Sequence, residues 1–155
     1  MSQYLLSQRT KLVISLSAVV CFLMLIFLRS SLSSVDNSAN SWATTVQNGP
    51  FTEVAVIISV VFDTTILLLF SLVAAALLFH KNFKKQSLLL LLSMGGDALL
   101  VSISKMLVYS PRPPNELIVE TGYSFPSGHV TGGVVFFGLL TYFGWQIWNS
   151  SKRKT

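Results

Sequence analysis

Two short motifs carry the side chains of this sequence that are best suited to chemistry. The first has Lys105, six intervening residues and then Arg112-Pro113, and the second is Pro126-Ser127-Gly128-His129. A lysine and an arginine can neutralise an oxyanion, and a planar guanidinium can hold two oxygens of one phosphate group. The two motifs together therefore predict an anion site, and phosphate or a similar oxyanion is the expected ligand.

The second motif stands directly before an apolar run and is suited to the start of a helix. Ser127 is placed as the N-cap, Gly128 lets the backbone approach a ligand, and the first amides of the helix would point at an anion. His129 then falls in the first turn, where its imidazolium can donate a proton to an oxygen leaving phosphorus. Taken singly, these residues have ordinary alternatives, such as a snorkelling Lys105, a proline-rich turn around Arg112 or a polar surface histidine. Their combination on one connection favours the anion site.

Long apolar segments must position these motifs. Hydrophobic residues make up 52% of the sequence and charged residues 11%, and the mean hydropathy is +0.64. This composition excludes an ordinary soluble domain. At roughly 1.5 Å per residue, four segments can cross a hydrocarbon core of about 30 Å, namely residues 12–28, 54–79, 88–108 and 130–148. We predict an all-α, polytopic membrane bundle of about four transmembrane helices, forming a single domain over residues 1–155 with the site on the connection 105–129.

Basic residues indicate the orientation of this bundle. Two precede the first segment, three lie between the second and third, and three follow the fourth. They are, in this order, Arg9 and Lys11; Lys81, Lys84 and Lys85; and Lys152, Arg153 and Lys154. The positive-inside rule then predicts both termini in the cytoplasm and the connection 105–129 facing outward. We expect an integral membrane protein, located in the plasma membrane. The net charge of +5 reflects this topology, and we expect no nucleic-acid partner because no basic stripe is interleaved with aromatic residues.

A metal or other cofactor is not expected in this chemistry. Cys21 is the one cysteine of the sequence, so neither an intrachain disulfide nor a multi-thiolate site can form. The two histidines, His80 and His129, are predicted on opposite sides of the membrane, which leaves no histidine cluster for a metal.

The first third of the chain is expected to hold an anchor and a loop. No small-x-small cleavage site directly follows Leu28, so the first apolar segment is interpreted as an uncleaved signal anchor, with a cleaved signal peptide as the alternative. Residues 30–52 are rich in Ser, Asn and Thr and are predicted to form an outer loop. In this loop Trp42 is expected at the level of the lipid headgroups. A short interfacial helix is the alternative.

Two acidic residues lie within predicted spans and need partners. Asp63 and Asp97 each stand about nine residues, or roughly 14 Å, from a span end, which places both near the middle of the membrane. The two carboxyl groups could share one proton, or each could bond a Ser or Thr of a neighbouring helix, and the second alternative is favoured. Close helix contacts are expected at the glycines of the third and fourth spans, which are Gly95, Gly96, Gly132, Gly133 and Gly138.

The two motifs match the first two signatures, K-x6-R-P and PSGH, of the type 2 phosphatidic acid phosphatases. This lipid phosphatase family belongs to a superfamily that includes the vanadium haloperoxidases, and the chain resembles it from about Leu88 to Trp148. The resemblance implies a helical bundle that removes phosphate from lipid phosphates or isoprenyl diphosphates without a metal, through a phosphohistidine intermediate.

The resemblance also implies roles for individual residues. Lys105 and Arg112 would bind the phosphate, Ser127 and the Gly128 amide would hydrogen-bond its oxygens, and His129 would protonate the leaving group. We further expect the aromatic residues before the second motif, Tyr123 and Phe125, to suit a rim at which a lipid tail approaches the site.

The chain departs from the family at a third signature, S-R-x5-H-x3-D, which supplies the nucleophilic histidine and a further arginine. No such set follows His129, so we expect a truncated six-helix phosphatase bundle with weak or no activity alone. Two alternatives remain open. One is a non-catalytic membrane protein that binds phosphorylated lipid headgroups or pairs with a complementing chain, and the other is a small membrane protein whose motifs have no function. The expected partners are a phosphorylated lipid and the surrounding membrane lipids, and glycine-rich faces are consistent with a homo-oligomer.

Overall fold

The computed structural model describes residues 2–113, 118 and 121–152, and this part of the chain is helical without strands. Its α-helices are α1 (Ser2–Phe27), α2 (Ser33–Val46), α3 (Gly49–Val61), α4 (Thr64–His80), α5 (Lys84–Val108) and α6 (Gly128–Lys152). A short 3₁₀ helix, Arg29–Leu32, links α1 to α2. The predicted all-α class is confirmed. The chain divides into two compact units, residues 1–47 and 48–155.

Three of the helices are individually long and apolar enough to cross a membrane. They are α1 from Gln8 to Phe27, α5, and α6 from Gly128 to Asn149, with mean hydropathies of 2.4, 1.8 and 1.4. Helices α3 and α4 satisfy the same criteria as a pair, although they meet at an angle of 51°. The described chain therefore has three helices that could span a membrane, or four if the bent pair forms one span.

The predicted second span, residues 54–79, is not one continuous helix. It breaks after Val61, and Asp63 adopts a non-helical backbone with φ −54° and ψ 143°. The cause is the Asp63 side chain, which accepts a hydrogen bond from the Thr65 amide at 2.8 Å and so caps a new helix. A short acidic side chain competes for backbone amides in this way and favours a helix start over a helix interior. Asp63 therefore stands at the N-terminus of α4.

Helices α4, α5 and α6 pack around one apolar core. Its buried side chains are Leu67 and Ala75 of α4, Leu90 and Met94 of α5, and Phe136 and Phe143 of α6. Among the described residues, no buried side-chain nitrogen or oxygen lacks a hydrogen-bond partner. The buried Ser87 hydroxyl of α5, for example, donates to the Ala75 carbonyl of α4 at 2.8 Å. This core fixes the ends of the three helices relative to one another.

Asp97 has a partner on a neighbouring helix. The Thr131 hydroxyl of α6 donates to the Asp97 carboxylate of α5 at 3.2 Å. This hydrogen bond agrees with the favoured alternative, in which each carboxyl group separately bonds a Ser or Thr of a neighbouring helix. Asp63 differs from that expectation because its partner, the Thr65 amide, belongs to the helix that it caps.

Glycine contacts are fewer than the sequence predicts. A Cβ built on Gly132 would lie 3.4 Å from Leu67 Cδ1 and 3.7 Å from Asp97 Oδ2, so α6 approaches both neighbours there. Within the described chain the prediction is wrong for Gly95, Gly96, Gly133 and Gly138, where no atom of a neighbouring helix lies within 4 Å of an added Cβ. A sequence of small residues does not reveal which helix face meets a neighbour.

In the first unit, residues 33–46 form a helix and not the predicted loop. Asp36 lies in the first turn of α2, where an acidic side chain favours the helix dipole, and it pairs with Arg29. Gly49 and Pro50 come only after this helix and start α3. The apolar residues of α2 fall on one exposed face, at Val35, Ala39, Trp42, Ala43 and Val46. The alternative of a short amphipathic helix is therefore the one that the fold adopts.

The core can be tested with two leucines of α5. Leu90 is 0% exposed and Leu92 is 65% exposed. We expect Leu90→Ala to lower the free energy of unfolding in detergent by about 1–3 kcal/mol, because it leaves a cavity between the helices. Leu92→Ala should have little effect, since its side chain already faces an apolar medium. Thermal unfolding of the two variants measures this difference. Equal losses of stability would contradict the burial of Leu90 in the core.

Candidate functional site

A cavity of about 390 Å³ lies where several helix ends of the second unit meet. Its lining comes from the start of α4, the last turn of α5, the loop before α6 and the start of α6. The lining residues are Asp63, Thr64, Lys105, Arg112, Thr121, Ser124, Ser127, Gly128 and His129. The five residues of the predicted site, Lys105, Arg112, Ser127, Gly128 and His129, are thus brought together at one cavity.

Lys105 reaches the cavity from the last turn of α5. The helix ends just beyond it, where Tyr109 adopts a left-handed conformation with φ 50° and its amide donates to the Lys105 carbonyl at 3.1 Å. The Lys105 side chain is half-buried, as expected for an ammonium whose aliphatic stem lies along a helix.

Arg112 is held by the far side of its own loop. Its Nε donates to the Gly122 carbonyl at 3.1 Å, and Gly122 has a φ of +84°, a conformation that suits glycine. The neighbouring segments are joined at Ser124, whose amide donates to the Ser110 carbonyl at 2.9 Å and whose hydroxyl donates to the Pro111 carbonyl at 2.8 Å. These bonds restrict the backbone that carries the guanidinium.

The start of α6 has the expected cap. The Ser127 hydroxyl accepts from the Val130 amide at 3.5 Å, and the Ser127 carbonyl accepts from the Thr131 amide at 3.1 Å. Ser127 therefore precedes the helix as its N-cap, and Gly128 is the first helical residue. The first turn of α6 faces the cavity with the positive end of its dipole, which is favourable for an anion.

Gly128 also meets α4 closely. A Cβ built on Gly128 would lie 2.5 Å from the Thr64 hydroxyl oxygen, closer than a real Cβ contact allows. The absence of a side chain at Gly128 therefore lets the N-terminus of α6 lie against the N-terminus of α4 with the Thr64 hydroxyl in its present position. This contact places two helix starts beside the same cavity.

His129 is oriented by the backbone of α3. Its Nε2 lies 3.1 Å from the Ser59 carbonyl oxygen. A carbonyl can only accept a hydrogen bond, so Nε2 carries the hydrogen in this contact. Asp63 interacts electrostatically with His129, so a carboxylate and an imidazole stand together at the cavity with the cations Lys105 and Arg112.

Sequence reasoning missed part of this lining. Asp63, Thr64, Thr121 and Ser124 line the cavity, and the Ser59 carbonyl contacts His129. Asp63-Thr64-Thr65 inside an apolar run is a recognisable N-cap pattern, so the start of α4 could have been found from the sequence. The Ser59 carbonyl could not, because every residue has one.

The aromatic residues before the second motif lie beside the cavity lining and are not part of it. Tyr123 packs edge-on against Tyr109, with ring centroids 4.8 Å apart, and Phe125 is half-buried. Tyr109 is largely exposed at the end of α5. The predicted role of Tyr123 and Phe125 as a rim for a lipid tail stays a prediction. Tyr109 extends the same aromatic surface.

The chain was compared with protein-family models, curated protein sequences and solved structures, and none of the three comparisons gave a match. The likeness to the type 2 phosphatidic acid phosphatases therefore rests on the residues of the two motifs.

The contact between α4 and α6 can be tested at Gly128. We expect Gly128→Ala to destabilise the fold by about 1–3 kcal/mol, because the added methyl group overlaps the Thr64 hydroxyl. Gly133→Ala is the matched control in the same helix, where an added Cβ meets open space, and it should be neutral or slightly stabilising.

Thermal unfolding in detergent measures both variants. Thr64→Ala in the Gly128→Ala background should recover most of the loss, since it removes the overlapping oxygen. Equal stabilities of the Gly128→Ala and Gly133→Ala variants would contradict the close contact.

Proposed function

We propose that the protein is a membrane phosphatase-family protein that acts on lipid phosphates or isoprenyl diphosphates by metal-independent phosphoester hydrolysis. The observation that carries this proposal is the meeting of both motifs at one cavity, with Lys105 and Arg112 beside the N-terminus of α6 and His129. The membrane location of the substrate is supported by the long apolar helices that end at this cavity, α5 and α6.

Binding of the phosphate would use three kinds of donor. Arg112 offers a planar guanidinium fixed through its Nε, Lys105 offers an ammonium, and the first turn of α6 offers backbone amides. Hydrogen bonds to charged groups contribute about 1.5–3 kcal/mol each, so loss of one cation should weaken binding by roughly 10- to 100-fold.

Hydrolysis would use His129 as the proton donor. As the bond between phosphorus and the ester oxygen breaks, the leaving oxygen takes the proton from the imidazolium and departs as an alcohol. The electron pair of the broken bond stays on that oxygen. In the overall hydrolysis the phosphoryl group passes to the oxygen of a water molecule, which loses a proton to solvent, so that inorganic phosphate is released. A general acid of this kind contributes roughly 10²- to 10⁴-fold in rate.

One observation favours a second candidate, a protein that binds phosphorylated lipid headgroups without hydrolysis or pairs with a complementing chain. Of the two histidines in the sequence, His129 lines the cavity, and His80 ends α4 at the far end of that helix. A single imidazole cannot act as acid and nucleophile at the same phosphorus in one step, and covalent catalysis needs a nucleophile activated by a partner. In this second candidate that nucleophile is lacking or comes from another chain.

Orientation in the membrane forms part of the proposal. Helix α4 runs from the cavity to His80, and α5 returns from Lys84 to Lys105, so the basic turn at Lys81, Lys84 and Lys85 stands at the opposite end of this helix pair. The positive-inside rule then supports an orientation with this turn in the cytoplasm and the cavity outside, and the plasma membrane is the proposed location.

The hydrolytic proposal is tested by phosphate release from phosphatidic acid and from an isoprenyl diphosphate in detergent micelles. In line with a chain that carries only two of the three family signatures, we expect weak release by the purified chain, with a rate at least about 100-fold lower for His129→Ala. His80→Ala is the control for loss of a histidine and should retain full activity. Equal release by the chain and by His129→Ala would contradict the role of His129.

Binding is tested separately with inorganic phosphate, followed by ³¹P NMR titration. Lys105→Ala and Arg112→Ala should each weaken binding by roughly 10-fold or more, because each removes a charged donor from the cavity. Lys84→Ala removes a cation from the opposite end of α5 and serves as the control. Phosphate binding without release would favour the second candidate, and affinities unaffected by both cavity variants would exclude both functions.

A further inference from the structure

The break between α3 and α4 releases a backbone carbonyl next to the cavity. In a continuous helix the amide of Asp63 would donate to the carbonyl four residues earlier, which is that of Ser59. Here the Asp63 amide donates to the Val60 carbonyl at 3.2 Å. The Ser59 carbonyl instead contacts His129 Nε2 at 3.1 Å.

The N-cap of α4 keeps the Asp63 amide away from the Ser59 carbonyl. The Asp63 carboxylate accepts from the Thr65 amide, which holds the Asp63 backbone at a ψ of 143° and prevents the helix from continuing. The next amide back, that of Phe62, keeps an ordinary helical bond to the Ile58 carbonyl at 2.9 Å. Regular helical bonding in α3 therefore ends at the Ile58 carbonyl, and the Ser59 carbonyl that follows it is the one that contacts His129.

We propose that this break positions His129, with its Nε2–H held on the Ser59 carbonyl, so that the proton transferred at the cavity is the one on Nδ1. The assignment of the transferred proton to Nδ1 rests on the proposed function. The positioning of His129 by the Ser59 carbonyl does not. Asp63 and the Ser59 carbonyl are positioning groups in this arrangement, since they act through the imidazole.

The proton balance follows from the contact. The imidazolium carries a hydrogen on each nitrogen, and its Nε2–H is retained by the Ser59 carbonyl throughout. Nδ1 gives its proton to the leaving oxygen, and the product is a neutral imidazole with the hydrogen on Nε2. This is the tautomer that the Ser59 contact already favours, so the ring need not rotate during proton transfer.

A matched pair of variants distinguishes the effect of losing the N-cap from the effect of losing the negative charge of Asp63. Asn is as good an N-cap as Asp, so Asp63→Asn should keep the break between α3 and α4. Ala lacks a capping oxygen and favours helix, so Asp63→Ala should let the amide of residue 63 take the Ser59 carbonyl. His129 would then lose its fixed acceptor.

The first readout is the tautomer of His129, measured by long-range ¹H–¹⁵N NMR of the labelled chain in micelles at alkaline pH. His80→Gln assigns the two histidine signals. We expect the Nε2–H form in the unmodified chain and in Asp63→Asn, and a mixture of both neutral forms in Asp63→Ala. An Nδ1–H form of His129 in the unmodified chain would overturn the proposal, and this measurement does not depend on activity.

The second readout is kinetic and is made on the same pair. We expect kcat to be roughly 10-fold lower for Asp63→Ala than for Asp63→Asn, with similar KM, because the phosphate-binding cations are unaltered. Equal kcat values for the two variants would overturn the link between the break and proton transfer. Fixed Nε2–H in a chain that neither binds nor hydrolyses phosphate would instead exclude the proposed function and leave the positioning of His129 standing.

Discussion

One hydrogen bond, from the Thr65 amide to the Asp63 carboxylate, governs the arrangement of the site. An apolar segment long enough to form one helix is divided by it into two, and the division has three local results. A helix start appears beside the cavity at Thr64, a carboxylate is retained there, and the Ser59 carbonyl becomes the partner of His129. Each result depends on the Asp63 side chain accepting a hydrogen bond from the amide two residues ahead, because this bond keeps Asp63 out of a helix interior.

Much of the site could be predicted because its parts are close in sequence to helix ends. Lys105 and Arg112 flank the end of α5, and Ser127 to His129 begin α6, so their meeting requires only that the two helices lie side by side. Residue type and spacing carry this information directly. The chemistry assigned to these residues remains a proposal.

The remaining features depend on three-dimensional relations that the sequence does not display. Gly128 and Gly132 lie at helix contacts, whereas Gly133 and Gly138, in the same helix, lie in open space. The difference is set by which face of α6 turns towards α4 and α5. Likewise, the helix at residues 33–46 forms from a polar stretch in which Ser, Asn and Thr leave local preference nearly neutral, and the Arg29–Asp36 pair adds support near its start.

The location of the cavity at helix ends has a consequence for any ligand with a hydrocarbon tail. The long apolar helices α5 and α6 end and begin at the cavity, so a headgroup can enter it while the tail stays beside the helices. Pulling a sixteen-carbon chain out of lipid would cost about 12 kcal/mol, at roughly 0.8 kcal/mol per methylene. For a ligand of the proposed kind, a site in this position would avoid that cost. Concentration in the bilayer alone would then favour long-chain amphiphiles over their water-soluble analogues.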